Sequence, residues 1–327
     1  ALAASLPYNI SIKNEHILAK IERDFDLSVD YGRIVKEFFI YKTVYNIMLK
    51  LYMPKMLMVS NYFNHQNQAA ISAANALGTP TIEFQHGLIN GSDSSYIQFK
   101  KLADSTTPNY IFVFGEKSRT VFGGENHLIE PSKVIPVGNM FIHYMENNYV
   151  APDALVKLFN EFRKRFKKIV CVSSQWTIEK KILEFITAAA QTDCSILYIF
   201  MSRKPLGPDL VATLPENVKP LPEYNLSEIN KFSDFHSTVY STFALESPAM
   251  GIPNILVDVD GLARFHYPDL LSEQLTTKLA STVQEFITLI QTWNPGPSGE
   301  IRKRHEPYCM NGYPDNLKNA LKKILKD

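Results

Sequence analysis

Cysteine is scarce and unpatterned: Cys171, Cys194 and Cys309 stand alone, with no C-x-x-C pair. Three cannot all pair among themselves, so neither a disulfide framework nor a zinc site is encoded, which favours a reducing compartment. Net charge is also missing, with 34 Lys and Arg against 33 Asp and Glu. That balance exerts no global pull on polyanions, so nucleic acid is not an expected partner and any basic function must be local. No apolar run reaches the ~18 residues of a membrane span, and nothing resembles a signal peptide. Walker and G-x-G-x-x-G loops are lacking, which disfavours kinases and dehydrogenases. The histidines at 65, 127, 143, 236, 266 and 305 fall at no ligand spacing, so no metal is expected. There is no fixed-period repeat and no low-complexity tract.

What is present reads as globular: 327 residues, 45% hydrophobic and 20% charged. At roughly 100–200 residues per domain, that length predicts two domains. The first residue is Ala1 rather than Met, which suggests a piece of something longer.

Helical spacing of apolar residues covers Asn14–Arg23 and Tyr31–Leu51, stopped by Pro54. The rhythm then changes to short apolar runs at Lys55–Ser60, Thr79–Gln85, Tyr110–Gly115 and Lys133–Val137, with a helix at His65–Leu77 closed by Gly78. A second alternation follows Pro152. Strands are predicted at Lys168–Ser173, Ser195–Met201, His236–Tyr240 and Asn254–Val259, with helices at Ile178–Ala190, Ser227–Phe232 and Phe243–Met250. Alternating strands and helices predict α/β architecture: two doubly wound, Rossmann-like units with parallel sheets, facing each other across a cleft. The expected domains are 1–150, short of strands on its N-terminal side, and 151–327, ending in an amphipathic helix over Asp315–Asp327.

The most informative string is His236–Pro253. A strand runs into Ser241-Thr242 and a helix begins, so hydroxyls and backbone N–H groups form an anion site suited to a diphosphate. Glu246 lies one turn on, where a carboxylate can accept hydrogen bonds from ribose hydroxyls. Gly251-Ile252-Pro253 closes the helix. Next comes Thr81–Ser95, in which a strand ends at Gln85 and delivers His86 onto a loop relaxed by Gly87. A histidine with a pKa near 6.5 suits removal of a hydroxyl proton. Asp93 and Glu83 are the competing carboxylates, and strand alternation places Glu83 on the side of Gln85. Ser173-Ser174 follows one strand of the second unit. Arg203-Lys204 follows the next and could neutralise a diphosphate. Asn61 ends a strand of the first unit, where it could border an acceptor. Asp258 and Asp260 form a D-x-D that falls late in the chain. Basic clusters at Arg163–Lys168 and Arg302–Arg304 could meet anionic lipid at about 1 kcal/mol per residue.

The string Glu246…Gly251-Ile252-Pro253 resembles the nucleotide-binding segment of GT-B glycosyltransferases. The Gln85-His86-Gly87 loop resembles that of the bacterial capsule, lipopolysaccharide and teichoic-acid members, where the histidine is a proposed base. The resemblance implies a metal-independent, inverting glycosyltransferase without a cofactor, using a nucleotide-sugar as co-substrate. It implies His86 as base and a donor site of Ser173, Ser174, Arg203, Lys204, Ser241, Thr242 and Glu246, with Tyr224 in the base-binding loop. Asn61, Gln85 and Asp93 fall on the acceptor side, toward a glycan or lipid-linked glycan. Lys204-Pro205 departs from the His-Pro of the teichoic-acid and sialic-acid transferases, which counts against a CMP- or CDP-linked donor. A cytoplasmic location, peripheral to the inner face of the membrane, follows as an expectation. Two alternatives stand beside it: a nucleotide-sugar 2-epimerase, and a non-catalytic GT-B scaffold within a larger polymerase.

Overall fold

A computed structural model of the chain describes residues 12–91, 93–98, 104–124, 126 and 128–325. Two compact units divide it. The first takes the chain up to Val113, Ser118–Pro136 and the end from Lys318; the second takes Phe114–Lys117 and Val137–Leu317.

In the first unit, β1 (Leu57–Val59), β2 (Thr81–Phe84), β3 (Tyr110–Val113) and β4 (Val134–Pro136) form one parallel sheet in sequential order. The order runs one way because the described chain before β1 is helical: α1 (Glu15–Phe25) and α2 (Tyr31–Tyr52). The helix α3 (His65–Ala76) starts where the Asn64 side chain accepts the Asn67 N–H at 2.8 Å. Its buried Ala73 and Ala74 carry little side chain, which lets Leu49 and Tyr45 of α2 pack closely on them. The core beneath the sheet is aromatic and branched, with Tyr62, Tyr96, Phe122 and Ile111 at its centre.

The second unit is doubly wound. Its strands β5 (Lys168–Ser173), β6 (Ile196–Met201), β7 (Val218–Lys219), β8 (Phe235–Thr238), β9 (Asn254–Val257) and β10 (Thr277–Ala280) lie in the order β10-β9-β8-β5-β6-β7, all parallel. The central strand β5 is buried on both faces, as an unbroken Ile169-Val170-Cys171-Val172 run requires. The order reverses between β5 and β8, and ligands of such sheets bind beyond the strand ends at that reversal.

The helix following β8, Phe243–Ala249, contains Pro248, which has no N–H to give the carbonyl of Ala244. Asn254 of β9 replaces it, its Nδ2 donating to that oxygen at 2.6 Å. The Asn254 Oδ1 lies 2.8 Å from Nδ1 of His236, whose Nε2 is 2.9 Å from the Ser173 hydroxyl. These partners fix the tautomer: Nδ1–H donates to Asn254, and Nε2 accepts from Ser173. A second buried imidazole holds the helix from outside the sheet, with His305 Nε2 donating to the Leu245 carbonyl at 2.8 Å.

Backbone crosses backbone closely where Pro307–Met310 passes Gly115 and Gly138. A Cβ on Gly138 would stand 2.3 Å from the Met310 carbonyl oxygen, and its φ of +88° is left-handed. Gly138→Ala is expected to cost about 3 kcal/mol, combining left-handed strain of about 1–2 with backbone displacement. Gly78, with φ +71° and nothing within 4 Å of its Cβ position, isolates the strain alone. Urea midpoints of the two alanine variants should differ, Gly138→Ala lying lower; equal midpoints would show that the close crossing carries no cost.

Candidate functional site

At the reversal in the second unit, the β5, β6 and β8 loops bring most of the expected donor residues to one sheet edge. Their roles divide. Ser173 and Ser174 are buried, and both hydroxyls are committed within the unit. Ser173 Oγ meets His236, while Ser174 Oγ donates to Glu179 Oε2 at 2.6 Å. Ser241 is also buried: its Oγ accepts the Phe243 N–H at 3.3 Å, and its carbonyl accepts the Tyr267 hydroxyl at 2.5 Å. Thr242 occupies the helix N-cap in helical backbone geometry and makes no side-chain cap bond. Ser241 therefore shapes the turn, and Thr242 presents a hydroxyl beside it.

Glu246 is the charged group of this helix. Its carboxyl makes no hydrogen bond among the described residues, it is only half-buried, and packing protein raises its pKa to about 7 by desolvation. An acceptor held this way is suited to a ligand hydroxyl that supplies the missing donor.

Arg203, Lys204 and Tyr224 come together around a pocket of about 230 Å³ lined by residues 200–206, Val211, 220–222 and Tyr224. Arg203 is oriented by its own backbone N–H to Glu179 at 3.1 Å and by Nε to the Ser174 carbonyl at 3.2 Å. Tyr224 rests on the apolar core of the unit. The Lys204 ammonium sits 4.3 Å above the ring of Trp176, which is 62% exposed on the loop after β5. Trp176 was not among the expected residues, and neither was Tyr240. The Tyr240 ring stacks on His266 at 4.7 Å, and its hydroxyl meets Thr177. An aromatic two residues after the Ser173-Ser174 pair was the available signal for Trp176.

The D-x-D resolves into two separate ion pairs. Asp258 bonds Arg264 at 2.6 Å, and Asp260 bonds Lys181. The basic cluster before β5 is likewise paired along the unit's own surface: Arg163 with Asp234, Lys164 with Glu161, and Arg165 with Glu216. Arg302 pairs with Glu146 at 3.3 Å. Among the described residues, no helix is long and apolar enough to cross a membrane.

In the first unit, Asn61, Gln85, His86 and Asp93 all follow the C-terminal ends of β1 and β2. Gln85 is buried, and its Nε2 donates to the Gly87 carbonyl at 2.8 Å, so the amide shapes the turn that carries His86. His86 is exposed; desolvation holds its pKa below 6.5, partly offset by the Asp93 carboxylate, so the ring is neutral at pH 7. Asp93 Oδ1 accepts the Ser95 N–H at 2.9 Å.

Behind the loop lies Glu83, wholly buried on β2. Its Oε1 accepts the Tyr62 N–H at 3.1 Å and the Tyr96 hydroxyl at 2.8 Å. Its Oε2 and the Asn61 Oδ1 are buried without a partner among the described residues. Burial raises the Glu83 pKa to about 7. The Phe63 ring lies 6.0 Å from His86 and 6.1 Å from Tyr96, so the histidine and the carboxyl share one aromatic wall.

No family model and no curated protein sequence matches the chain. Solved structures do. A Listeria monocytogenes protein provisionally assigned as a UDP-N-acetylglucosamine 2-epimerase is similar at TM-score 0.64 and 14% identity, over 94% of this chain and 86% of that one. The UDP-GlcNAc 2-epimerase of Neisseria meningitidis, bound to UDP-GlcNAc, is similar at TM-score 0.59 and 18% identity, over 96% and 90%. CalG4, the calicheamicin glycosyltransferase, is similar at TM-score 0.56 and 12% identity, over 99% and 84%. At such identities the likeness is one of fold, and the fold is the α/β GT-B architecture that these epimerases and glycosyltransferases share.

Proposed function

We propose that the chain is a nucleotide-sugar-dependent enzyme whose second unit holds the nucleotide diphosphate at the ends of β5 and β8. The observation that carries this reading is Glu246, a half-buried carboxyl without a hydrogen-bond partner among the described residues, one turn into the helix that Thr242 opens. A ribose diol supplies the donors it lacks, Thr242 and Arg203 are suited to the diphosphate, and Tyr224 to the base. The Neisseria neighbour, which binds UDP-GlcNAc, lends the reading support.

Two reactions fit it. Epimerisation at C2 of the sugar is favoured by the preponderance of UDP-GlcNAc 2-epimerases among the similar structures. Transfer to a glycan is favoured by the neutral, exposed His86 on its Gln85-Gly87 turn, which suits a base acting on an acceptor hydroxyl. Incubation with UDP-GlcNAc alone, followed by proton NMR, separates them: epimerisation yields the C2 epimer without any acceptor, whereas transfer releases UDP only after an acceptor is added.

Binding is tested first by thermal shift with UDP, CDP, CMP, GDP and UDP-GlcNAc. A ligand at 100-fold its dissociation constant adds about 2.7 kcal/mol. Wild type is expected to gain that with one nucleotide class, and Glu246→Ala and Thr242→Ala to lose most of it. No shift with any nucleotide would overturn the assignment and leave the scaffold reading in its place.

A further inference from the structure

Four loops at the strand ends of the second unit set aromatic rings in a row beside the residues proposed for the nucleotide. Trp176 stands on the loop after β5, and the Lys204 ammonium, from the loop after β6, covers one face of its ring at 4.3 Å. The residue is still 62% exposed. Its neighbour Thr177 meets, through its hydroxyl, the hydroxyl of Tyr240, which follows β8. The Tyr240 ring stacks on His266 at 4.7 Å, and His266 meets Phe265 edge to face at 5.1 Å. Those two residues end the short helix Leu262–His266 after β9, and Phe265 is 61% exposed. The strands β6, β5, β8 and β9 are neighbours in the sheet, so at about 4.8 Å between strands the row runs roughly 14 Å along its edge.

Position and chemistry together say what covers it. Trp176 lies two residues from Ser174, Lys204 follows Arg203, and Tyr240 precedes Ser241. The row and the nucleotide site therefore share their loops, and a protein partner seated there would close that site. A pyranose sugar suits the row better. Its axial C–H groups form a weakly positive face that packs on the negative face of an aromatic ring, while its hydroxyls call for polar groups at the ring edges. Such groups are present: the Thr177 and Tyr240 hydroxyls, and the Lys204 ammonium, which has three protons to donate and makes no ion pair among the described residues.

We infer that the row is a platform for a glycan chain, with successive pyranose rings laid on Trp176 and Tyr240. A single nucleotide-linked sugar needs no row of this length, whereas an oligosaccharide acceptor does. This assignment rests on the nucleotide-sugar reading and extends it to the acceptor, and such a platform has a use only in transfer.

The two tryptophans of the chain make the platform readable. Trp293 stacks at 5.8 Å on Phe235, the first residue of β8, at the opposite end of the strands. Tryptophan emission is followed as gluco-oligosaccharides, chito-oligosaccharides and acidic hyaluronan fragments of increasing length are added. At least one series is expected to change the emission saturably, with an affinity that rises with length, and Trp293→Phe should keep the signal. By calorimetry, Trp176→Ala and Tyr240→Ala should each weaken binding about tenfold, and Trp176→Phe, which keeps a ring, less. The nucleotide-induced thermal shift of Trp176→Ala should equal that of wild type, which also shows that the variant folds. A normal nucleotide shift with no response to any glycan series overturns the platform and leaves the nucleotide reading standing. Glycan binding indifferent to both alanines overturns it equally. A wild type that binds glycan but no nucleotide overturns the nucleotide reading and keeps the platform as a glycan site.

Discussion

Acidification from pH 6.5 to 4.5 is expected to remove about 5 kcal/mol of stability from a Glu83→Gln, Glu246→Gln double variant while leaving wild type nearly level. His236 and His305 are fully buried, and desolvation lowers each pKa to about 4. Below 6.5 the unfolded chain binds two protons that the native state refuses. Their contribution is therefore complete above pH 6.5 and lost as pH falls toward 4, at about 1.4 kcal/mol per pH unit for each group. Glu83 and Glu246, raised by burial to about 7, act in the opposite sense. Between 4.5 and 7 the native state keeps two protons that the unfolded chain releases, so their contribution is complete below 4.5 and lost as pH rises through 7. Across the shared window the two pairs cancel. Removing the carboxyls leaves the histidines unopposed. Urea titrations at pH 6.5, 5.5 and 4.5 read this as a slope, which is insensitive to any constant loss caused by the substitutions. A double variant as level as wild type would show that the buried histidines do not titrate as their burial requires.

His86→Ala is expected to lower turnover about 10²–10⁴-fold, the usual range for a general acid–base group. The nucleotide-induced thermal shift should be unchanged, because the groups proposed to hold the nucleotide lie on the second unit. Wild-type turnover should fall as pH drops through the lowered His86 pKa, since only the neutral ring can accept a proton. Full activity in His86→Ala would remove the histidine from the chemistry and move attention to Asp93, the carboxylate nearest it in electrostatic effect.

Much of this arrangement was legible in the sequence, for identifiable reasons. The central strands β5 and β6 were plain because a strand buried on both faces must be apolar throughout. The edge strands β7, two residues long, and β10, Thr277–Ala280, carry no such run, and neither was anticipated. The helix Ser298–His305 reads as a basic stretch because only Ile301 and His305 are buried in it. Glu83 and Gln85 are both buried, but so are Thr81 and Ile82 just before them, so burial does not separate the two faces of β2. What strand alternation could not reveal was Glu83's hydrogen bond to Tyr96, 13 residues ahead. The inward commitment of Ser173 was equally hidden, because its partner His236 lies 63 residues away. Local pattern thus found the loops, while non-local partners decided which side chains in them face outward.

The division of the chain bears on any attempt to take it apart. The backbone passes from one unit to the other at Val113–Phe114, Lys117–Ser118, Pro136–Val137 and Leu317–Lys318. No single cleavage, by protease or by gene truncation, separates the units cleanly. The four residues Phe114–Lys117 are the sensitive part: the Phe114 carbonyl accepts the Met310 N–H at 2.8 Å, and the Lys117 N–H donates to the Pro307 carbonyl at 2.9 Å. A fragment begun at Val137 would lack Phe114 and Lys117 and so leave those backbone groups of Pro307 and Met310 without partners. Dissection of this protein therefore calls for a tether that carries Phe114–Lys117 back to its place, or for keeping the chain whole.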